Sequence, residues 1–167
     1  YDCVFGAGCA RQLSLALRVC NKSLKSVTIR YSPMGNNRLV EKIIDVITAL
    51  SAHPQLENLE LWSMNIGRNE CTALANVLNS TMAALQELNL YNNNIDDEGV
   101  DALVGALGNS RLRSMNLSSN GDITSRGFQS LAELLENPNS NLEKLYFHSN
   151  NIGDEGALIF ANAMASN

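Results

Sequence analysis

Residues 85–107 read LQELNLYNNNIDDEGVDALVGAL, and the hydrophobic period changes once within them. Leu88 and Leu90 alternate with polar neighbours, the period of a short strand with one buried face. A polar bend follows, Asn92-Asn93-Asn94, carrying a single apolar residue, Ile95. Beyond it the apolar residues recur at helical spacing as Val100, Leu103 and Leu107, with Ala102 and Ala106 beside them. Asp96, Asp97 and Glu98 stand at the start of that helix, where carboxylates meet the positive end of the dipole. The stretch encodes strand, bend and helix in that order.

Working outward, the same order recurs along nearly the whole chain. Copies start near residues 24, 56, 85, 112 and 142, at spacings of 32, 29, 27 and 30 residues. Their opening hexads are LKSVTI, LENLEL, LQELNL, LRSMNL and LEKLYF. Ahead of them, residues 1–23 read as a partial copy in which Cys9 to Cys20 is the helix and the strand is missing or damaged. Gly99, Gly127 and Gly156 fall at matched positions, as expected where a helix start passes close to a neighbour.

The pattern of Leu85, Leu88, Leu90, Asn93, Ile95, Gly99, Leu103 and Leu107 resembles the leucine-rich repeat in its ribonuclease-inhibitor-like form of about 28 residues. The resemblance implies an α/β leucine-rich-repeat solenoid: a right-handed horseshoe with a parallel sheet on the concave face and helices on the convex face. Right-handed crossovers between successive strands predict the same parallel sheet. Asn93, Asn120 and Asn150 are expected to stack as a buried ladder that satisfies bend backbone groups. The copies depart from the pattern in places. Ser32 and Met64 replace the bend asparagine, Glu70 replaces the glycine, and one residue at Gly121 or Asp122 is inserted, so those bends should be less regular.

The chain has 167 residues, 45% of them hydrophobic and 17% charged, with a formal net charge of −5, which fits one globular domain, 1–167. The longest apolar stretches are a few residues, too short for a transmembrane helix. A pI near 5.0 argues against binding nucleic acid through an overall basic surface. Cys3, Cys9, Cys20 and Cys71 form no CxxC pair and are read as reduced thiols, which favours an intracellular, cytoplasmic location.

No catalytic or metal-binding constellation is legible, and no cofactor is expected. His53 sits beside Pro54 and His148 on a strand, and neither makes a case for a base with a nucleophile. Gly6-Ala7-Gly8 is too short for a phosphate-binding fingerprint and reads as a turn.

The informative surface is the concave one, because alternation identifies the strand residues that point away from the core. One column of those residues runs Arg30, Trp62, Tyr91, Ser118 and His148; a second runs Thr28, Glu60, Asn89, Asn116 and Tyr146; a third includes Glu87 and Lys144. The sole tryptophan falls in the first, beside Tyr91, an exposed aromatic pair of the kind that anchors protein interfaces. The candidate partner-binding residues are Arg30, Glu60, Trp62, Glu87, Asn89, Tyr91, Tyr146 and His148. Glu60 and Glu87 give this face a local negative charge, which favours a partner with an exposed Arg or Lys.

These readings predict a non-catalytic module that binds another protein on its concave face. One alternative, on fold analogy alone, is regulation of a GTPase, since Ran GTPase-activating proteins have similar repeats. Another is a structural subunit of a large assembly. Both ends fall inside repeats without an evident cap, which predicts a segment of a longer protein or, alternatively, ends that a partner or a second copy covers, so the chain is expected to be a monomer or part of a larger chain or assembly.

Overall fold

A computed structural model describes residues 3–4, 9–20, 23–30 and 43–166. Ser32, Gly6 to Gly8 and the side chains of Cys3 and Cys9 lie outside what it describes. Among the described residues twelve elements alternate in chain order: β1 (Cys3–Val4), α1 (Cys9–Val19), β2 (Ser26–Arg30), α2 (Ile43–Leu50), β3 (Asn58–Trp62), α3 (Arg68–Ser80), β4 (Glu87–Asn89), α4 (Asp97–Leu107), β5 (Ser114–Asn116), α5 (Ser125–Glu136), β6 (Lys144–Tyr146) and α6 (Gly153–Ser166). The strands form one parallel sheet in sequence order. Each helix packs on the helices before and after it, and the result is a right-handed α/β horseshoe with the strands inside and the helices outside.

The register repeats the sequence alignment. Leu59 lies opposite Leu88, Leu88 opposite Met115, and Met115 opposite Leu145. Those side chains enter a continuous core with Leu61, Leu90 and Leu117, with Ile66, Ile95 and Ile123 from the bends, and with Leu74, Leu103, Phe128 and Leu131 from the helices. The last two units fill the same positions with rings, where Phe147 stacks edge-on against Phe128 at 5.0 Å and Phe160 at 4.9 Å between centroids.

In the first unit, where the sequence predicts a missing or damaged strand, a strand of two residues is present, pairing Cys3 with Ile29 and Val4 with Arg30. It was invisible to a period test because two residues cannot alternate. His53 is fully buried, and its Nε2 lies 2.7 Å from the Leu17 carbonyl oxygen and 3.8 Å from Cys20 Sγ. It ties the end of α1 to the turn after α2.

Strands β3 to β6 each leave the sheet through a residue with left-handed backbone, namely Ser63, Asn92, Ser119 and Ser149, all with φ between 54° and 60°. The bend where Met64 stands at the asparagine position carries a second such residue, Asn65, with φ 53°. Met64 has no amide to hold the backbone of the preceding unit, and its bend is the less regular one.

Candidate functional site

The concave face is fixed from beneath by the bend asparagines. Asn93 is buried; its Oδ1 accepts the Met64 and Ile66 N–H groups at 2.8 and 3.1 Å, while its Nδ2 donates to the Leu61 and Leu90 carbonyls, both at 2.9 Å. Asn120 repeats the pattern one unit on, accepting from Ile95 N and donating to the Leu90 and Leu117 carbonyls. Asn150, half-buried, accepts from Asn120 N at 2.7 Å and donates to the Leu117 carbonyl. Each amide reaches back to the unit before it, so the strand ends are held at a constant spacing and the side chains just beyond them line up in rows.

The row at the strand ends is a chain of stacked groups. The Arg30 guanidinium lies over the Trp62 ring, 4.1 Å from its centroid. Trp62 and Tyr91 are 5.5 Å apart between centroids at an interplanar angle of 58°. Tyr91 and His148 are 6.1 Å apart, although β5, which Ser118 follows, runs between β4 and β6. Ser118 is fully buried, with its hydroxyl unpartnered, so it is not part of the exposed column in which the alternation placed it. A small side chain there lets the larger neighbours lean together over the gap.

This geometry changes the reading of individual residues. Trp62 and Tyr91 are half-buried by their neighbours rather than fully exposed, and the indole Nε1 is buried without a hydrogen-bond partner. Arg30 and His148 are exposed at the two ends of the row, and Tyr146 is 48% exposed beside it. Glu60 is not a bare negative charge, because Arg30 Nη2 lies 3.5 Å from its carboxylate. Glu87, exposed, accepts from the Asn58 amide at 3.1 Å. Asn89 spends its carbonyl oxygen on the Tyr91 N–H at 3.1 Å, closing its own strand end. Arg30, Glu60, Trp62, Tyr91 and His148 thus form one connected group, and Glu87, Asn89 and Tyr146 lie on neighbouring strand positions.

A charged network on the convex side escaped the sequence reading. Arg68 bridges Asp96 and Glu98 at 2.9 and 2.8 Å, and Arg126 bridges Glu98 and Asp101 at 2.8 and 2.9 Å. Its signal was an arginine one unit before or after an acidic helix start, which a search along single helices does not register. Desolvation pushes the Asp96 carboxyl up, but the Arg68 hydrogen bond, the Gly99 N–H and the Arg68 charge together hold it below the usual carboxylate range. The Arg126 hydrogen bond leads in holding Glu98 down as well. Behind this network, burial first, then Glu70 and Asp96, push the Cys71 thiol up to about 12. Among the described residues no group of three or more His, Cys, Asp or Glu side chains could hold a metal ion, and no helix is long and apolar enough to cross a membrane.

The family model described as Leucine Rich repeat matches residues 83–104, 108–132 and 139–161. NACHT, LRR and PYD domains-containing protein 13 of Homo sapiens is 35% identical over 135 residues, 78% of this chain and 13% of that protein. Ribonuclease inhibitor of Mus musculus is 35% identical over 112 residues, 66% of this chain and 24% of that protein. The chain therefore spans a quarter or less of the length of either relative. Among solved structures, the tropomodulin C-terminal domain of Caenorhabditis elegans superimposes with a TM-score of 0.68 over 94% of this chain and 92% of that one, at 17% identity. That likeness is one of fold.

Proposed function

We propose that this chain, a leucine-rich repeat protein of the ribonuclease-inhibitor-like kind, is a non-catalytic recognition module that binds a protein partner on its concave face. The observation that carries the reading is the continuous row Arg30, Trp62, Tyr91 and His148. Solenoid strands need only polar residues on their open face, and the core beneath is already closed by leucines. Rings supply large contact area at little conformational cost, which is why Trp and Tyr dominate binding energies at interfaces. Stacking fixes their orientation before a partner arrives, so little order remains to be imposed on binding.

The test is to identify a partner by affinity capture on the wild-type chain and then compare variants against that purified partner. Trp62→Ala is expected to weaken binding by about 2 kcal/mol or more. Asn76→Ala, an exposed position on α3 at the convex side, is expected to leave both fold and affinity nearly unchanged. Full affinity in Trp62→Ala combined with loss in Asn76→Ala would place the interface on the helices and overturn the reading.

A further inference from the structure

The Trp62 ring and the Glu60 carboxylate face one cation, and that cation comes from the chain itself. Arg30 lies directly opposite Trp62 in the β2–β3 register, while Glu60 lies opposite Thr28. To reach both, the Arg30 side chain turns sideways along the sheet, setting its guanidinium 4.1 Å from the ring centroid with one nitrogen toward Glu60. That ion pair measures 3.5 Å, whereas the other six among the described residues measure 2.7–2.9 Å. The stack is good and the charge pairing is poor.

We propose that Trp62 and Glu60 form a binding site for an arginine side chain of the protein partner, and that Arg30 occupies this site in the free chain as an internal stand-in. The proposal rests on the concave-face reading above and names the chemistry that face accepts. An arginine descending from a partner approaches along the sheet normal, so its plane can lie on the indole while two nitrogens turn toward Glu60, a pairing that Arg30 does not make from its own strand. Arg30 is half exposed and can swing into water with little desolvation to undo. The indole stays seated against Tyr91 when Arg30 leaves, so the face on which Arg30 lies is ready for an incoming guanidinium. Arginine fits this site better than lysine because a planar guanidinium can stack and pair at once.

The sole tryptophan of the chain makes its fluorescence a direct reporter of the site. The probe is the peptide acetyl-Gly-Arg-Gly-amide, titrated at low salt beside its citrulline counterpart, which has the same shape without the charge. Arg30→Ala is expected to bind the arginine peptide about two- to fivefold more tightly than wild type, the range of a surface cation–π contact. Neither protein should respond to the citrulline peptide, and adding Glu60→Gln to Arg30→Ala should remove the gain. Unchanged melting of each variant secures the comparison. Equal binding of arginine and citrulline peptides by Arg30→Ala, or no gain over wild type, overturns the proposal. Should that happen while Trp62→Ala still loses an identified protein partner, the concave-face reading stands without it.

Discussion

Asp97, in the first turn of α4, caps α5 rather than its own helix. Its Oδ1 accepts the Gly127 N–H at 3.0 Å and the Thr124 N–H at 2.8 Å, and its Oδ2 takes the Thr124 hydroxyl at 2.6 Å. Helix α4 is capped instead by Asp96, whose Oδ1 accepts the Gly99 N–H at 2.8 Å. Two adjacent aspartates thus serve two successive units, one closing a helix and the other joining it to the next. The join requires glycine, since a Cβ at position 127 would lie 2.6 Å from Asp97 Oδ1.

Gly127→Ala is therefore expected to destabilise by about 1–3 kcal/mol, because the carboxylate is anchored and cannot yield without releasing the α5 cap. Asp97→Ala should cost about 1–2 kcal/mol, as at other helix caps, and Asp97→Asn less, since it keeps an acceptor. Urea unfolding measures all three. An unfolding midpoint for Gly127→Ala equal to that of wild type would mean that α4 and α5 do not approach this closely.

The bend asparagines should differ among themselves. Asn93 and Asn120 are buried and each satisfies backbone groups on two units, whereas Asn150 is half-buried. Removing a buried amide leaves its partners unpaired at about 1–3 kcal/mol each. Asn93→Ala and Asn120→Ala are expected to lower the melting temperature markedly and Asn150→Ala less. Equal losses at all three would show that burial does not set the cost.

Much of this architecture is legible in the residues, and the reason is periodicity. Leu88, Leu90, Asn93, Ile95 and Leu103 each have one job repeated in several units, so the pattern averages out local exceptions. What depends on contact between units is harder to read. Ser118 sits in phase with Trp62 and Tyr91 and by alternation alone belongs on the surface, yet larger side chains on the flanking strands close over it. Likewise Asp97 looks like a helix-start charge for α4, because its actual partners are 27 and 30 residues away. The stack of Arg30 on Trp62 follows from two residues 32 positions apart that only the strand register brings together.

Cys71 tests the burial of the helix layer. Its thiol is fully covered and its pKa stands near 12, so at neutral pH almost no thiolate exists and reagent has no path to it. Iodoacetamide at pH 7.5 is expected to leave Cys71 unmodified in the folded chain and to label it once denaturant is added, as peptide mass spectrometry reports. Cys20, half-buried at the end of α1, should label sooner. Rapid native labelling of Cys71 would contradict the packing of α3 on α4.

The convex charge network should make stability depend on acid in a specific way. Asp96 and Glu98 are held below the ordinary carboxylate range in the folded chain, so protons bind the unfolded chain more readily. Their contribution is fully present above the unfolded value, about 4, and is lost as pH falls through the lower folded values. Arg68 and Arg126 are the cations responsible. In the double variant Arg68→Ala, Arg126→Ala the two carboxyls should return toward ordinary values. Its melting temperature is expected to lie below wild type at pH 7 and to converge on it as the pH falls through the lowered folded values of the two carboxyls, below which both are protonated in either protein. Added salt at pH 7 should narrow the gap too, since these side chains are exposed. Lys25→Ala breaks an isolated exposed pair with Glu57 and should shift melting less, because a lone surface pair contributes little. A difference between wild type and the double variant that stays constant from pH 7 down through the acid range in which wild-type Asp96 and Glu98 become protonated would show that the arginines act through packing of their stems and not through charge.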